Sequence, residues 1–340
     1  MNAIGINLEA SGQMSGNPTT QALRIEPNRG VRYLEVEMPA DQANDRIKLH
    51  RLLGATQPPE KVTQEAFEGN DRHLRRLARL RPGEQADGND LWEYIHALRN
   101  ADIQGPLFVY LLPFCLQAWR DDLRGIHGYG GLIEHFYPVL ADRQIFDLHL
   151  TPKQSAVVSE FIRQTILEEI DDQRGLAFQG SKTKPYRWIG ALTTYGVLLP
   201  DVERLWTAWW LLDTIGRAVA AVQYISCLMY PENENPVFAP WTPNRGGGPP
   251  CLWGFEGHLY AHRWQETNVN FLKGLLTVQR VGDVLVQAVA RLFGQPDYEG
   301  AAAVQQDFPL CAGTLESRCA ELPQLLETTQ SSSTMLAWSA

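Results

Sequence analysis

Two histidines four residues apart, with a carboxylate just before them, form the best metal-ligand pattern in this chain. They are His258 and His262, preceded by Glu256. On a helix the two imidazoles share a face, as ligands of one divalent ion must. A zinc peptidase places glutamate directly after its first histidine, and that position here is Leu259. The pattern is therefore generic. Trp253, Tyr260 and Trp264 surround it, so stacked core histidines are the expected outcome and a divalent metal the alternative.

Glu93 and His96 repeat the Glu-x-x-His unit of di-iron helix bundles. Such sites need two of these units and two further carboxylates, and the chain has no second unit. Glu168, Glu169, Asp171 and Asp172 could lend carboxylates, although a charged helix end accounts for them more simply. In a metalloenzyme, Glu93 and His96 would be additional ligands beside Glu256, His258 and His262. Residues 175–183 read Gly-Leu-Ala-Phe-Gln-Gly-Ser-Lys-Thr. A phosphate loop needs lysine directly after its second glycine, and Ser181 intervenes. A glycine-ended helix followed by a polar turn is expected there. The acidic pairs Asp121-Asp122 and Asp171-Asp172 lack the third acid of a magnesium-diphosphate motif. Neither a Gly-x-Ser-x-Gly elbow nor a Gly-x-Gly-x-x-Gly fingerprint is present. No catalytic residue and no cofactor is assigned.

The elements that would position these residues are mostly helices. Residues 1–28 are rich in small polar types, as in a flexible arm, and alternation over residues 31–38 admits one short strand. From about Asp41 the helical period takes over. Asn70 and Asn89 are expected N-caps, with Leu74 and Leu77, then Leu91, Ile95 and Leu98, facing inward. Residues 107–123 form an apolar helix that Pro113 should kink. Thr151, Pro152 and Gln154 spell a capping box before a helix burying Val158, Phe161, Ile162, Ile166 and Ile170, which Gly175 closes.

Asp201 is expected to open one long central helix that Pro231 stops. Residues 205–230 are apolar enough to suggest a membrane span, but Asp213 and Arg217 near the middle are costly in lipid. Spaced i,i+4, they can pair in a buried helix instead. Residues 231–254 are rich in proline and glycine and read as a flap. Helices are expected near 267–279, 281–293 and 314–327. Residues 329–340 form a tail. The expected fold is mainly α, a bundle of roughly ten helices. One helical domain would cover residues 29–328, with a possible subdivision near 175–200.

The net charge of −9 argues against general nucleic-acid binding, which needs a basic face. The run Arg72, Arg75, Arg76, Arg79 and Arg81 is expected to be a solvated helix face. Cys115, Cys227, Cys251, Cys311 and Cys319 form no Cys-x-x-Cys pair, so neither a zinc ribbon nor a disulfide framework is suggested. Cys115 and Cys227 lie in apolar stretches and should be small buried hydrophobes. No basic-then-apolar signal opens the chain, and a cytoplasmic location is expected. Trp206, Trp209 and Trp210 could wall a ligand pocket, but core packing is the expected role.

Residues 107–165 resemble a family of uncharacterised bacterial domains. The shared features are an aromatic helix with Leu-Pro (Tyr110, Pro113), a closing Arg120-Asp121, then Phe146, then Leu150-Thr-Pro-Lys-Gln154 before an apolar helix containing Phe161. The resemblance covers less than a fifth of the chain. It implies a bacterial helical protein and no activity.

These readings favour a protein-interaction module without catalysis, of the immunity or antitoxin type or a subunit of a defence or stress assembly. An acidic protein steers toward basic partners. Trp241 in the flap and Met335, Leu336 and Trp338 in the tail are the candidate contact residues. The alternative is a helical metal-dependent enzyme using Glu256, His258 and His262.

Overall fold

The computed structural model describes residues 40–66, 69, 71–100, 102–125, 136, 140, 145–177, 184–230, 235–237 and 264–323. Among them are twelve helices and no strand, which makes the fold all-α. The expected arm, the strand over 31–38, the Asn70 cap, the tail and all of the flap except 235–237 lie outside the described residues. The described residues fall within one compact unit.

The first helices are α1 (Ala40–Leu52), α2 (Asp71–Leu77) and α3 (Gly88–Asn100). Leu74 and Leu77 on α2, and Leu91, Ile95 and Leu98 on α3, are buried as their spacing predicts. The α3 cap differs from expectation. Asp87, not Asn89, accepts from the first amides, those of Asn89 (2.9 Å) and Asp90 (3.2 Å). A carboxylate also suits the positive end of the helix dipole.

Helix α4 (Gly105–Leu123) is buried over almost its whole length, and Pro113 lies inside it. After α5 (Ile145–His149) comes α6 (Pro152–Asp171), opened by the full Thr151–Gln154 capping box. The Gln154 side chain also donates to the Leu53 carbonyl (2.7 Å), so the cap of α6 closes the end of α1. Phe161 is only partly buried, while Val158, Ile162, Ile166 and Ile170 are core.

The expected central helix is two helices. α8 (Val202–Trp210) and α9 (Ile215–Met229) meet at 115°, with α7 (Lys184–Leu198) before them. Leu212 at the corner has φ 55°, the left-handed region that costs a branched side chain energy. Its side chain is buried in exchange. Thr214 caps α9 by accepting from the Arg217 amide (3.1 Å). Hydropathy carried across the corner because each helix buries an apolar face and Leu212 is buried, and burial carries no information about direction. Among the described residues no single helix is long and apolar enough to cross a membrane. Only this bent pair passes such a test, by length and composition.

Asp201 opens α8 as its N-cap residue, as expected, but its carboxylate makes no cap hydrogen bond and accepts from the Tyr195 hydroxyl (2.9 Å) instead. Asn268 supplies the cap. Its Oδ1 accepts from the Val202 amide (3.2 Å), while its Nδ2 donates to the carbonyls of Gly196 and Leu199. One buried amide thus closes the end of α7 and the start of α8. Asn268 belongs to α10 (Glu266–Leu275), which α11 (Val278–Arg291) and α12 (Tyr298–Ala320) follow. α12 begins sixteen residues before the expected 314. Gly300, Pro309 and Gly313 inside it disguise the helix.

α9 is the axis of the bundle and packs against α6, α7, α8, α11 and α12. Every side chain from Ala218 to Met229 is buried. Small residues let its neighbours approach: a Cβ on Gly216 would lie 2.0 Å from the Asp171 carbonyl oxygen. Gly216→Ala should therefore lower unfolding free energy by about 3 kcal/mol through overpacking. Gly274→Ala, with nothing within 4 Å of its Cβ, should raise it by up to about 1 kcal/mol. Urea denaturation of the two variants checks both signs.

Candidate functional site

Glu256, His258, His262, Trp241, Met335, Leu336 and Trp338 lie outside the described residues. Of the other metal candidates, Glu93 is half-buried on α3, and the His96 ring lies over Trp92 with centroids 4.0 Å apart. Among the described residues no group of three His, Cys, Asp or Glu could hold a metal ion.

The acids form the charged end of α6, as expected, and are also engaged by other helices. They form a clamp across three helices. Glu168 accepts from Arg120 (3.0 Å) and from Arg124, and buried Glu169 accepts from Arg124 (3.1 Å), joining α6 to α4. Asp171 accepts from Arg217 Nε (2.8 Å) and Nη2 (3.2 Å) and from the Thr214 hydroxyl (2.8 Å), joining α6 to α9. Arg217 Nη1 donates to the Ala208 carbonyl (2.8 Å) and to Asp213 (3.0 Å), so the expected i,i+4 pair exists at the corner rather than in mid-helix.

The turn after α6 also binds within the protein. The amides of Gly175 and Leu176 donate to the two carboxylate oxygens of Asp297 at 3.1 and 3.0 Å, the service a phosphate loop renders to an anion. Gln223 on α9 donates to the carbonyls of the same two residues. The arginine run is exposed, as expected. Arg76 with His73 turns toward buried Asp90. Burial of Asp90 acts to raise its pKa, but the hydrogen bonds from Arg76 and His73 outweigh it and hold the carboxyl below its usual range.

Trp206 and Trp209 are core, packed edge-on with Trp188 and Tyr224, and Trp209 Nε1 donates to the Arg217 carbonyl (3.2 Å). Trp210 is partly buried. Cys115 and Cys227 are buried, and desolvation pushes both thiols up to about 12.

Two features escaped the sequence reading. One is a corner surface. Arg291 at the end of α11 donates to the Asp213 carbonyl, seating that end against the α8–α9 corner. Leu211 and Phe293, two residues from the partners of this bond, are 66% and 75% exposed. Phe293 rests edge-on against Tyr298 (5.3 Å). An exposed leucine or phenylalanine carries no periodic signal once the helix has ended, so only the three-dimensional junction pairs them.

The other is His50, buried between α1 and α4. Its Nδ1 lies 2.9 Å from the Arg46 carbonyl, which can only accept, so Nδ1 carries the proton. The ring meets Phe114 (4.6 Å) and Tyr110 (6.2 Å) edge-on. Nε2 is buried without a hydrogen-bond partner among the described residues, as is Gln117 Nε2. Both residues line a cavity of about 10 Å³ with Arg46, Glu84 and Asp121, room for about one water.

No known family, curated protein or solved structure matches the chain.

Arg217→Lys should cost about 2 kcal/mol in urea denaturation, because an ammonium cannot reproduce the planar fork to Asp171. Cys115 and Cys227 should stay unmodified by a thiol reagent in the native state and react on unfolding, as peptide mapping would show.

Proposed function

We propose that the chain is a protein-interaction module without catalysis of its own. It would act in a bacterial cytoplasm as an immunity or antitoxin type protein or as a subunit of a defence or stress assembly. The supporting observation is the corner surface. Leu211 and Phe293 stand out at one junction whose backbone is held by Arg217, Arg291 and the left-handed Leu212. Large apolar side chains presented on a rigid support suit protein recognition, where aromatic anchors supply most of the affinity. Strained backbone tends to persist where it serves a function. The net charge of −9 favours a basic partner.

The test is affinity capture from bacterial lysate with wild type and with the double variant Leu211→Glu, Phe293→Glu. Both substitutions are at exposed positions and should shift stability by no more than about 0.5 kcal/mol. A specific partner, identified by mass spectrometry, should fall about tenfold or more in recovery. Unchanged recovery would remove the corner from the proposal. Deleting residues 329–340 tests the tail residues Met335, Leu336 and Trp338 independently. Elemental analysis of the same preparation addresses the enzyme alternative. A stoichiometric metal lost on His258→Ala or His262→Ala would favour it.

A further inference from the structure

Among the described residues, several groups seat α1 on α4. Leu49 and Leu53 supply apolar contact. Arg46 reaches Asp121 at 3.5 Å, Asp45 lies 3.9 Å from Arg120, and Gln154 holds the Leu53 carbonyl. His50 fills the centre, 1% exposed. We propose that His50 is a proton-operated latch, and that uptake of one proton at its Nε2 releases α1 from α4 while the rest of the bundle stays folded.

The geometry carries this. The Nδ1 proton is already donated to the Arg46 carbonyl, so a second proton can enter only at Nε2. That atom is buried without a hydrogen-bond partner among the described residues. In the neutral ring Nε2 is an acceptor, and one water in the adjoining cavity can satisfy it by donating to Nε2 while accepting from Gln117 Nε2. Protonation turns Nε2 into a donor, and that water arrangement no longer fits.

The imidazolium would also lie in one helical turn with the buried Arg46 guanidinium. The facing groups on other elements are Tyr110 and Asp121 on α4, Glu84 in the loop before α3, and the uncharged Gln154 of α6. Asp121 is already engaged by Arg46, and Tyr110 donates to the Leu80 carbonyl. Glu84 is exposed and accepts from the Arg81 amide (2.7 Å). The face that receives the new charge therefore consists mainly of the Phe114 and Tyr110 rings.

Burial lowers the His50 pKa from the ordinary 6.5, with the Arg46 carbonyl opposing the shift. The sign follows from linkage. A lowered folded pKa means that the released state binds the proton better. The stabilisation is complete above 6.5 and is lost as pH falls from there through the folded value. Local opening of one helix requires less free energy than global unfolding, so α1 responds first.

Hydrogen exchange read by mass spectrometry, corrected for intrinsic rates, tests the latch on the full chain. Between about pH 7.5 and about pH 5, amides of α1 should lose about tenfold in protection relative to those of α9. In His50→Gln, which keeps a donor but cannot titrate, the ratio should stay constant. The latch is overturned if α1 and α9 lose protection together, if neither does, or if His50→Gln behaves as wild type. Should the variant not fold, histidine NMR of the wild type decides. Loss of α1 protection must begin near 6.5 and level off at the midpoint of the native His50 titration, and loss that falls outside that window overturns the proposal.

Discussion

A single guanidinium holds the middle of this molecule together. Arg217 emerges from the first turn of α9 and donates to Asp171 at the end of α6, to the Ala208 carbonyl on α8 and to Asp213 in the corner between them. Its own carbonyl accepts from Trp209, and its amide is capped by Thr214. The planar fork lets one side chain serve three chain segments at once. The sharp turn between α8 and α9 depends on this arrangement. Without it, the Ala208 carbonyl at the end of α8 and the Asp171 carboxylate would lose a charged donor in a largely dry setting.

The same logic recurs at other helix ends. Asn268 closes the end of α7 and the start of α8, Gln154 links the start of α6 to the end of α1, and Asp297 receives the amides just beyond α6. Helix ends leave amides and carbonyls unpaired, and a tightly packed bundle has little water to satisfy them. Polar side chains from neighbouring helices do so. This places charged and amide residues in the interior for structural reasons, including those whose spacing suggested metal or phosphate chemistry. Glu168, Glu169 and Asp171 are the clearest instance, bound by Arg120, Arg124 and Arg217.

His50, like several other buried side chains, has a polar atom without a partner among the described residues: its Nδ1 is paired and its Nε2 is not. Most buried polar atoms in native proteins have a partner, so a paired and an unpaired nitrogen on one ring mark a place where the protonation state matters. The corner surface differs in kind. There, large apolar side chains, Leu211 and Phe293, stand exposed beside the Arg291–Asp213 bond.

Much of the fold was legible in the residues themselves. Leu74 and Leu77, and Leu91, Ile95 and Leu98, recur at helical spacing and are buried accordingly. Thr151, Pro152 and Gln154 formed the cap their order implies, and Cys115 and Cys227 were recognisable as core. These are local matters, decided within a turn or two by propensity, capping and periodicity. The 115° corner, the Asp87 cap and the early start of α12 were not legible. Each turns on which of several competent groups finds a partner, and residues distant in the chain supply many of those partners. The His50 cavity and the exposure of Leu211 and Phe293 beside the Arg291–Asp213 bond belong to the same class. Sequence alone determined that the chain forms helices and which faces they bury. The tertiary structure alone decided where those helices turn, and which charges and rings meet, because hydrogen bonds and cavities are made between segments that local spacing cannot relate.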